Sequence, residues 1–113
     1  MKLTKAQTEA IEKLGFSVNI SDEYITFEAY SPAGQDLVVE LALDGAKKAG
    51  DLYPALLDYY TDYDPSYEAY IWLDDSGHGK NGAPYEMGDV YEDMCACQAM
   101  INELADLFGT FAK

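Results

Sequence analysis

The sequence predicts an α+β fold: an N-terminal helix, a three-stranded antiparallel meander, and then two or three helices, of which the last packs on the sheet. Between residues 17 and 43 apolar residues alternate with polar ones, which is the period of a half-buried strand. Near the C-terminus apolar residues recur at the spacing of an α-helix instead. The length of 113 residues suits one domain, residues 1–113, around a single core.

The first helix is predicted from Thr4 to Leu14. Thr4 and Gln7 match a capping box, and Gly15 can end the helix. Three alternating runs follow, and the turns between them lie at residues 21–23 and 31–34, so the sheet should bury one face. The apolar positions of that face are Val18, Ile20, Ile25, Phe27, Ala29, Leu37, Val39, Leu41 and Leu43.

The second helix is predicted to start at Asp51, which can act as its N-cap, with Pro54 in the first turn. Asp64 followed by Pro65 is typical of another helix start. Segment 64–75 is therefore predicted as a helix, although its YIWL run also fits a buried strand.

The last helix has the clearest pattern in the chain. Residues 76–84 hold three glycines and a proline and predict a loop before it. With about 100° per residue, five apolar side chains lie within roughly 40° of Val90. They are Met94, Cys97, Ile101, Leu104 and Phe108. The pattern predicts an amphipathic helix over residues 87–108, ended by Gly109.

The charge is large and unevenly distributed. Twenty-one acids face seven lysines, no arginine is present, and the net charge is −14. Residues 51–112 hold thirteen of the acids and a single lysine. The missing arginine argues against direct binding of nucleic acid, and acidity argues against an anionic membrane. The expected partner is a basic protein surface, with the oligomeric state left open.

Segment 51–75 combines seven of those acids with six tyrosines and the only tryptophan, Trp72. Tyrosine and tryptophan anchor many interfaces because each carries a large apolar area and a polar tip. Four of the tyrosines, Tyr53, Tyr60, Tyr67 and Tyr70, are expected to pack in the core. The predicted partner-binding residues are Asp58, Tyr59, Asp62, Tyr63, Asp64, Glu68, Asp74, Asp75, Asp89, Glu92, Asp93, Glu103 and Asp106.

The acids of the last helix are expected on its solvent-exposed side or at the margins of its apolar stripe. Helical neighbours three or four residues apart are about 5–6 Å from each other, which is comparable with the spacing of successive phosphates. In this respect the chain resembles the DNA-mimic inhibitors of bacterial mobile elements, the anti-restriction and anti-CRISPR proteins, which are small, strongly acidic and weakly similar to one another. The resemblance implies a competitive decoy that associates quickly and is sensitive to salt.

A second resemblance involves residues 82–94, GAPYEMGDVYEDM. Followed by an amphipathic helix, this stretch is similar to small uncharacterised proteins of prophages and conjugative elements. That likeness transfers no site residues. It implies only a mobile-element setting for the chain.

Three alternatives to the decoy stay open. An immunity or antitoxin protein would cover the active site of one nuclease through two or three dominant anchors within residues 58–68. An acidic protein-interaction module of another role is the second. The third is a domain whose acids serve only solvation. A decoy, by contrast, should spread its binding energy over many acids.

The sequence gives little support for a metal site, a cofactor site or an enzyme active site. The alternating oxygens of residues 62–68 resemble the start of a calcium loop, but the glycine and the bidentate acid of that loop are missing. His78 is a lone histidine, and GHGKNG lacks the context of a phosphate loop. Cys97 falls in the predicted core, and Cys95 has no histidine nearby in sequence. We expect no enzyme activity, cofactor or metal.

The compartment is expected to be the cytoplasm. Two cysteines one residue apart on a helix point to different faces, so Cys95 and Cys97 cannot pair with each other. Neither a signal-like N-terminus nor an apolar run of the ~20 residues that span a bilayer is evident.

Overall fold

The computed structural model describes every residue from Met1 to Lys113 and has the predicted α+β architecture. One helix precedes a three-stranded sheet, and the other helices follow the sheet. None of its helices combines the length and the apolar character needed to cross a bilayer. The elements are α1 (Lys5–Lys13), β1 (Ser17–Ile20), β2 (Tyr24–Tyr30), β3 (Asp36–Ala42), a 3₁₀ turn (Ala49–Leu52), α2 (Tyr53–Asp62), α3 (Pro65–Ile71) and α4 (Met87–Phe111).

The sheet is the antiparallel meander that the alternating pattern predicts, with strand order β1-β2-β3. Val18 lies opposite Phe27, and Phe27 lies opposite Val39, so one apolar row crosses all three strands. A second row joins Ile25 to Leu41 in the same register. These rows face the core, while the intervening side chains form an outer face toward solvent.

The start of α1 has the predicted capping box. Thr4 Oγ1 accepts a hydrogen bond from Gln7 N at 3.0 Å, and Gln7 Oε1 accepts one from Thr4 N at 2.9 Å. Such a cap typically stabilises a helix by about 1 kcal/mol. Gly15 follows with a φ of 100°, a left-handed conformation in which a glycine avoids the strain of a Cβ.

Helix α4 joins the two halves of the fold. It packs against α2 and α3, and the rings of Phe108 and Phe27 from β2 are nearly perpendicular with their centroids 5.5 Å apart. The predicted end at Gly109 is wrong, because the helix continues to Phe111. A Cβ at Gly109 would lie 3.2 Å from the Tyr53 ring, so this glycine makes room for a neighbouring aromatic side chain.

The segment that precedes α2 also differs from expectation. Asp51 is not the N-cap of α2; its Oδ2 accepts hydrogen bonds from Lys47 N at 3.0 Å and Lys48 N at 3.2 Å. It thereby closes the 3₁₀ turn that comes before the helix. The prediction of a helix in segment 64–75 is confirmed for Pro65–Ile71. After the helix, Leu73 forms an isolated antiparallel bridge with Gly79.

Candidate partner-binding surface

Most of the predicted binding acids are exposed on the helical half, which we define as residues 51–112. Asp58 and Asp62 are one turn apart on α2, and Asp75 lies in the loop after α3. The remaining exposed acids of the predicted set are on α4. The acids that are exposed in this way are Asp58, Asp62, Asp75, Asp89, Glu92, Glu103 and Asp106.

These acids do not form one compact patch. Asp89 lies in the first turn of α4, and Glu103 follows fourteen residues later on the same helix. A rise of 1.5 Å per residue puts the two positions about 20 Å apart along the axis. Glu103 and Asp106 therefore belong to a different part of the surface from the acids near the start of α4.

Asp93 is the clear exception: the sequence predicts it on the solvent side of α4 or at the margin of its apolar stripe, as a partner-binding residue, and that binding role is wrong because the residue is buried. Only 6% of the residue is exposed. Its Oδ2 accepts a hydrogen bond from Ser31 Oγ at 2.5 Å, and its Oδ1 accepts one from Ala33 N at 3.0 Å. Asp93 lies about 60° from Val90 on the helical wheel, close to the edge of the apolar stripe, and the β2–β3 turn covers it. The carboxylate fixes that turn to α4.

Asp64 and Asp74 are exposed but already bonded locally. Asp64 Oδ1 caps α3 by accepting a hydrogen bond from Ser66 N at 3.0 Å. Asp74 Oδ1 accepts bonds from Ser76 N, Ser76 Oγ and His78 N. The pKa of Asp74 is lowered, first by the Ser76 hydroxyl and then by the His78 amide. Both acids shape the backbone as well as adding charge.

Tyr59 and Tyr63, two of the predicted contact residues, are half-buried and bonded inside the molecule. The Tyr59 hydroxyl donates to the Val38 carbonyl at 3.2 Å and so covers part of the edge strand β3. The Tyr63 hydroxyl lies 3.6 Å from Met94 Sδ. Much of each tyrosine is therefore engaged in packing α2 onto the sheet and α4.

A group of ionisable side chains, three of them partly buried and Cys97 fully buried, lies where α2, α3 and α4 meet. We call Tyr59, Tyr63, Glu68 and Cys97 the polar seam. Burial raises the pKa of Glu68, and the nearby charge of Asp64 raises it further. Burial also raises the pKa of both tyrosines, with the charge of Glu68 adding to the effect. The pKa of Cys97 rises to about 11, mainly through burial, which leaves its thiol protonated and unreactive near neutral pH.

The expectation that Tyr67 and Tyr70 pack in the core is wrong. They are 63% and 72% exposed, whereas Tyr53 and Tyr60 are partly buried as expected. The side of α3 that meets the core carries Ala69, which is 4% exposed. A small residue there lets α3 approach α4 closely, and the bulky tyrosines point outward as a result.

The outward tyrosines belong to a broad apolar surface, which we call the tyrosine face. It combines the exposed side of α3 with the first turns of α4 and the end of residues 76–84, which we call the glycine loop. Tyr91 lies close to Asp64 and Ser66, and the neighbouring Cys95 side chain raises its pKa. The members of the face are Tyr67, Tyr70, Ile71, Tyr85, Met87 and Tyr91, each at least 44% exposed.

The sequence pattern does not reveal the tyrosine face. On α3, Tyr67, Tyr70 and Ile71 fall on one apolar side, and the periodicity of so short a helix does not show whether that side faces the core or the solvent. The one usable signal was the small Ala69 among larger neighbours, since a small residue favours close helix packing.

The glycine loop beside this face has a specific shape. The rings of His78 and Tyr85 stack with centroids 3.9 Å apart and an interplanar angle of 12°. Gly79 N donates to the Tyr85 carbonyl at 3.0 Å, and a Cβ at Gly79 would fall 1.8 Å from Pro84 O. Only glycine fits there, so the sequence of the loop determines how it presents Asp75 and Tyr85.

The outer sheet face is a second exposed surface. Tyr24, Tyr30 and Val38 lie on it with large exposed fractions, alongside Glu28 and Glu40. Charged and apolar residues alternate along its strands, and Tyr30 and Val38 line a pocket there together with Glu28 and Asp36. It supplies matched control positions for experiments on the tyrosine face.

Nothing in the arrangement of ionisable groups forms a metal centre. No cluster of three or more His, Cys, Asp or Glu side chains is placed to hold a metal ion. The acids of residues 62–68 are divided between the end of α2 and the start of α3.

Comparison with known proteins gives no relative. No protein-family model, curated protein or solved structure matches the chain.

Proposed function

We propose that this protein is a non-enzymatic inhibitor whose acidic helical half binds the basic surface of a nucleic-acid-processing protein. The observation that carries the proposal is the tyrosine face, a set of large exposed side chains surrounded by carboxylates. Exposed aromatic residues are costly in water unless a partner covers them, and the surrounding acids favour a basic partner.

The amount of charge supports a nucleic-acid-binding partner. The molecule measures 47 × 24 × 23 Å. A DNA duplex 47 Å long would carry about 28 phosphates, and a protein bound on one side would face roughly half of them. The net charge of −14 is of that order. A basic nucleic-acid site would therefore meet a field of comparable strength, although the acids here are spread over several faces.

A second candidate, a specific immunity-type inhibitor of one nuclease, is favoured by the same tyrosines. Charge alone gives rapid, salt-sensitive association, whereas desolvated aromatic side chains give slow dissociation. Tyr67 and Tyr70 are better placed as anchors than Tyr59 and Tyr63, whose hydroxyls are bonded internally. The two candidates differ in how their binding energy is distributed.

The test is an affinity capture from bacterial lysate at low and moderate salt, followed by identification of the retained proteins. Capture of a nucleic-acid enzyme whose retention falls with salt and is blocked by added DNA would support a decoy. Retention of one nuclease at moderate salt would support the immunity-type inhibitor.

The captured enzyme should then be assayed with the protein added in increasing amounts. Inhibition of its activity on nucleic acid is the expected result. If no basic protein is retained at either salt concentration, or if the captured enzyme keeps full activity when saturated, the proposed function is wrong.

A further inference from the structure

Part of the tyrosine face is a groove rather than a flat surface. The groove has a volume of about 710 Å³ and lies between the end of α3, the glycine loop and the start of α4. A Cβ at Gly77 would lie 3.7 Å from the terminal methyl group of Met87, so the methionine side chain reaches across to the loop. Its lining includes Tyr70, Ile71, Leu73, Asp74, Asp75 and Met87.

The groove combines apolar walls with free carboxylate oxygens. Tyr70, Ile71 and Met87 are all about half exposed or more. The local hydrogen bonds of Asp74 all go to Oδ1, so Oδ2 carries none of them. Asp75 is exposed next to it. A cationic group can therefore meet two carboxylates at one end and an aromatic ring beside them.

The charge of the molecule decides among possible occupants. A second copy of the chain would bring another net charge of −14 to the same surface, and an anionic membrane would be repelled as well. A basic protein segment is attracted, and its apolar side chains can cover Ile71 and Met87. Arginine fits better than lysine, because its planar guanidinium can stack on a tyrosine and bond a carboxylate at the same time.

We propose that this groove is the docking site for an arginine-bearing amphipathic segment of the basic partner. The guanidinium group lies against the Tyr70 ring and bonds Asp74 and Asp75, while apolar side chains of the segment pack on Ile71 and Met87. This inference rests on the proposed function and specifies the place and chemistry of the contact. Lys80 also lines the groove and opposes the occupant, which makes its removal a gain-of-binding test.

The test uses the full chain and three synthetic amphipathic peptides with the same leucine positions. Their polar positions carry arginine, lysine or glutamate. Titrations are followed by backbone amide NMR and by fluorescence of Trp72, the only tryptophan, which directly follows Ile71. We expect the arginine peptide to bind most tightly, to shift amides of residues 70–80 and 87, and to perturb Trp72. The glutamate peptide should not bind.

Matched variants locate the contact. Tyr70→Ala should weaken the arginine peptide about tenfold. Tyr30→Ala, at a residue with the same 72% exposure on the outer sheet face, should leave affinity unchanged. Asp75→Asn should weaken binding more than Asp22→Asn, which removes the same charge from the exposed β1–β2 turn. Lys80→Glu should tighten binding about threefold or more at low salt.

The outcomes separate the two proposals. If basic peptides bind but shift residues near Glu103 and Asp106 instead, or if Tyr70→Ala and Tyr30→Ala behave alike, the groove is not the docking site and the proposed function stands. Equal affinity for the arginine and lysine peptides would overturn the preference for a guanidinium group. Concentration-dependent dimerisation through this face without peptide would make a second copy its occupant. If no basic peptide binds while the lysate capture succeeds, the groove proposal alone fails.

Discussion

The sheet and the helical half bury their side chains under different constraints, and the difference explains which surface is available to a partner. In β3 buried and exposed residues alternate strictly from Asp36 to Ala42. A strand has two faces, so once one face is apolar the other is assigned. A helix can turn any of its sides to the core. On α3 the two tyrosines, Tyr67 and Tyr70, lie three residues apart on one side, and the small Ala69 lies on the side that is buried. The aromatic residues left outside form the tyrosine face.

The acids of the helical half are also divided in their roles. Four of its thirteen acids accept hydrogen bonds from backbone N–H groups; they are Asp51, Asp64, Asp74 and Asp93. These carboxylates contribute to the fold itself. The exposed acids without such bonds, together with the free Oδ2 of Asp74, are the groups that can bind a partner, so the net charge overstates the binding surface.

The largest expected effect concerns the contact that unites the sheet and the helical half. Phe108 is fully buried, and its ring lies 5.5 Å from that of Phe27 and 5.0 Å from that of Phe111. Phe108→Ala should lower the free energy of unfolding by about 3–5 kcal/mol. Urea unfolding should be followed by both Trp72 fluorescence and far-UV circular dichroism.

Within each protein, the unmodified one and Phe108→Ala, fluorescence and circular dichroism should give the same urea midpoint, although the midpoint of the variant is lower. Coincident midpoints would mean that the two regions unfold as one cooperative unit. Divergent midpoints would show that the helical half unfolds separately. Phe111→Ala is the control and should cost less, because Phe111 is only partly buried.

The next effect contrasts two aspartates one turn apart on α4. Asp93→Ala leaves the Ser31 hydroxyl and the Ala33 amide without their acceptor and should cost about 2–3 kcal/mol of stability. Asp89→Ala, at an exposed position, should change stability by less than about 0.5 kcal/mol. Thermal unfolding measures both. Equal losses would contradict the structural role assigned to Asp93.

A smaller effect is expected in the glycine loop, again against a matched position. Gly79→Ala would bring a Cβ within 1.8 Å of Pro84 O and should cost about 1–2 kcal/mol. Gly88→Ala meets nothing within 4 Å on α4 and should be neutral or stabilising by a few tenths of a kcal/mol. If Gly79→Ala is tolerated equally well, the loop is not held in this shape.

The same contrast explains how much the sequence could predict. The capping box at Thr4 and the alternation through Phe27 are local patterns, and the structure confirms the elements they predict. The exposure of Tyr70 and the burial of Asp93 depend on which segments cover them. Residues distant in sequence decide both, since the turn at Ser31 covers Asp93 from 62 positions away. Local periodicity carries no information about such a neighbour.

A tyrosine substitution tests the division between inner and outer aromatic residues. Tyr59→Phe removes the hydrogen bond to the Val38 carbonyl and should cost about 0.5–1.5 kcal/mol. Tyr67→Phe, whose ring is 63% exposed, should leave stability unchanged. Chemical denaturation of both variants gives the comparison. If Tyr59→Phe keeps full stability but weakens capture of the basic partner, Tyr59 is an anchor rather than a cover for β3.

The smallest effect is a pH dependence at Glu68 in the polar seam. Burial, aided by the charge of Asp64, raises the pKa of Glu68 in the folded protein. The folded state therefore holds this proton more tightly than the unfolded state. The stability contributed by Glu68 falls as pH rises from the ordinary glutamate pKa through the raised one. Glu68→Gln should be slightly more stable than the unmodified protein near neutral pH.

The measurement is the difference in melting temperature between Glu68→Gln and the unmodified protein at pH ~5 and ~7.5, a range chosen from the ordinary glutamate pKa upward. We expect the gain to be larger at the higher pH, because there the unmodified protein must keep Glu68 charged in a half-buried site. Glu92→Gln, at an exposed position on α4, removes the same charge outside the polar seam and is the control. Parallel behaviour of the two variants would mean that Glu68 is as well hydrated as the outer acids. The distinction between acids inside the fold and acids on its surface would then fail at this residue.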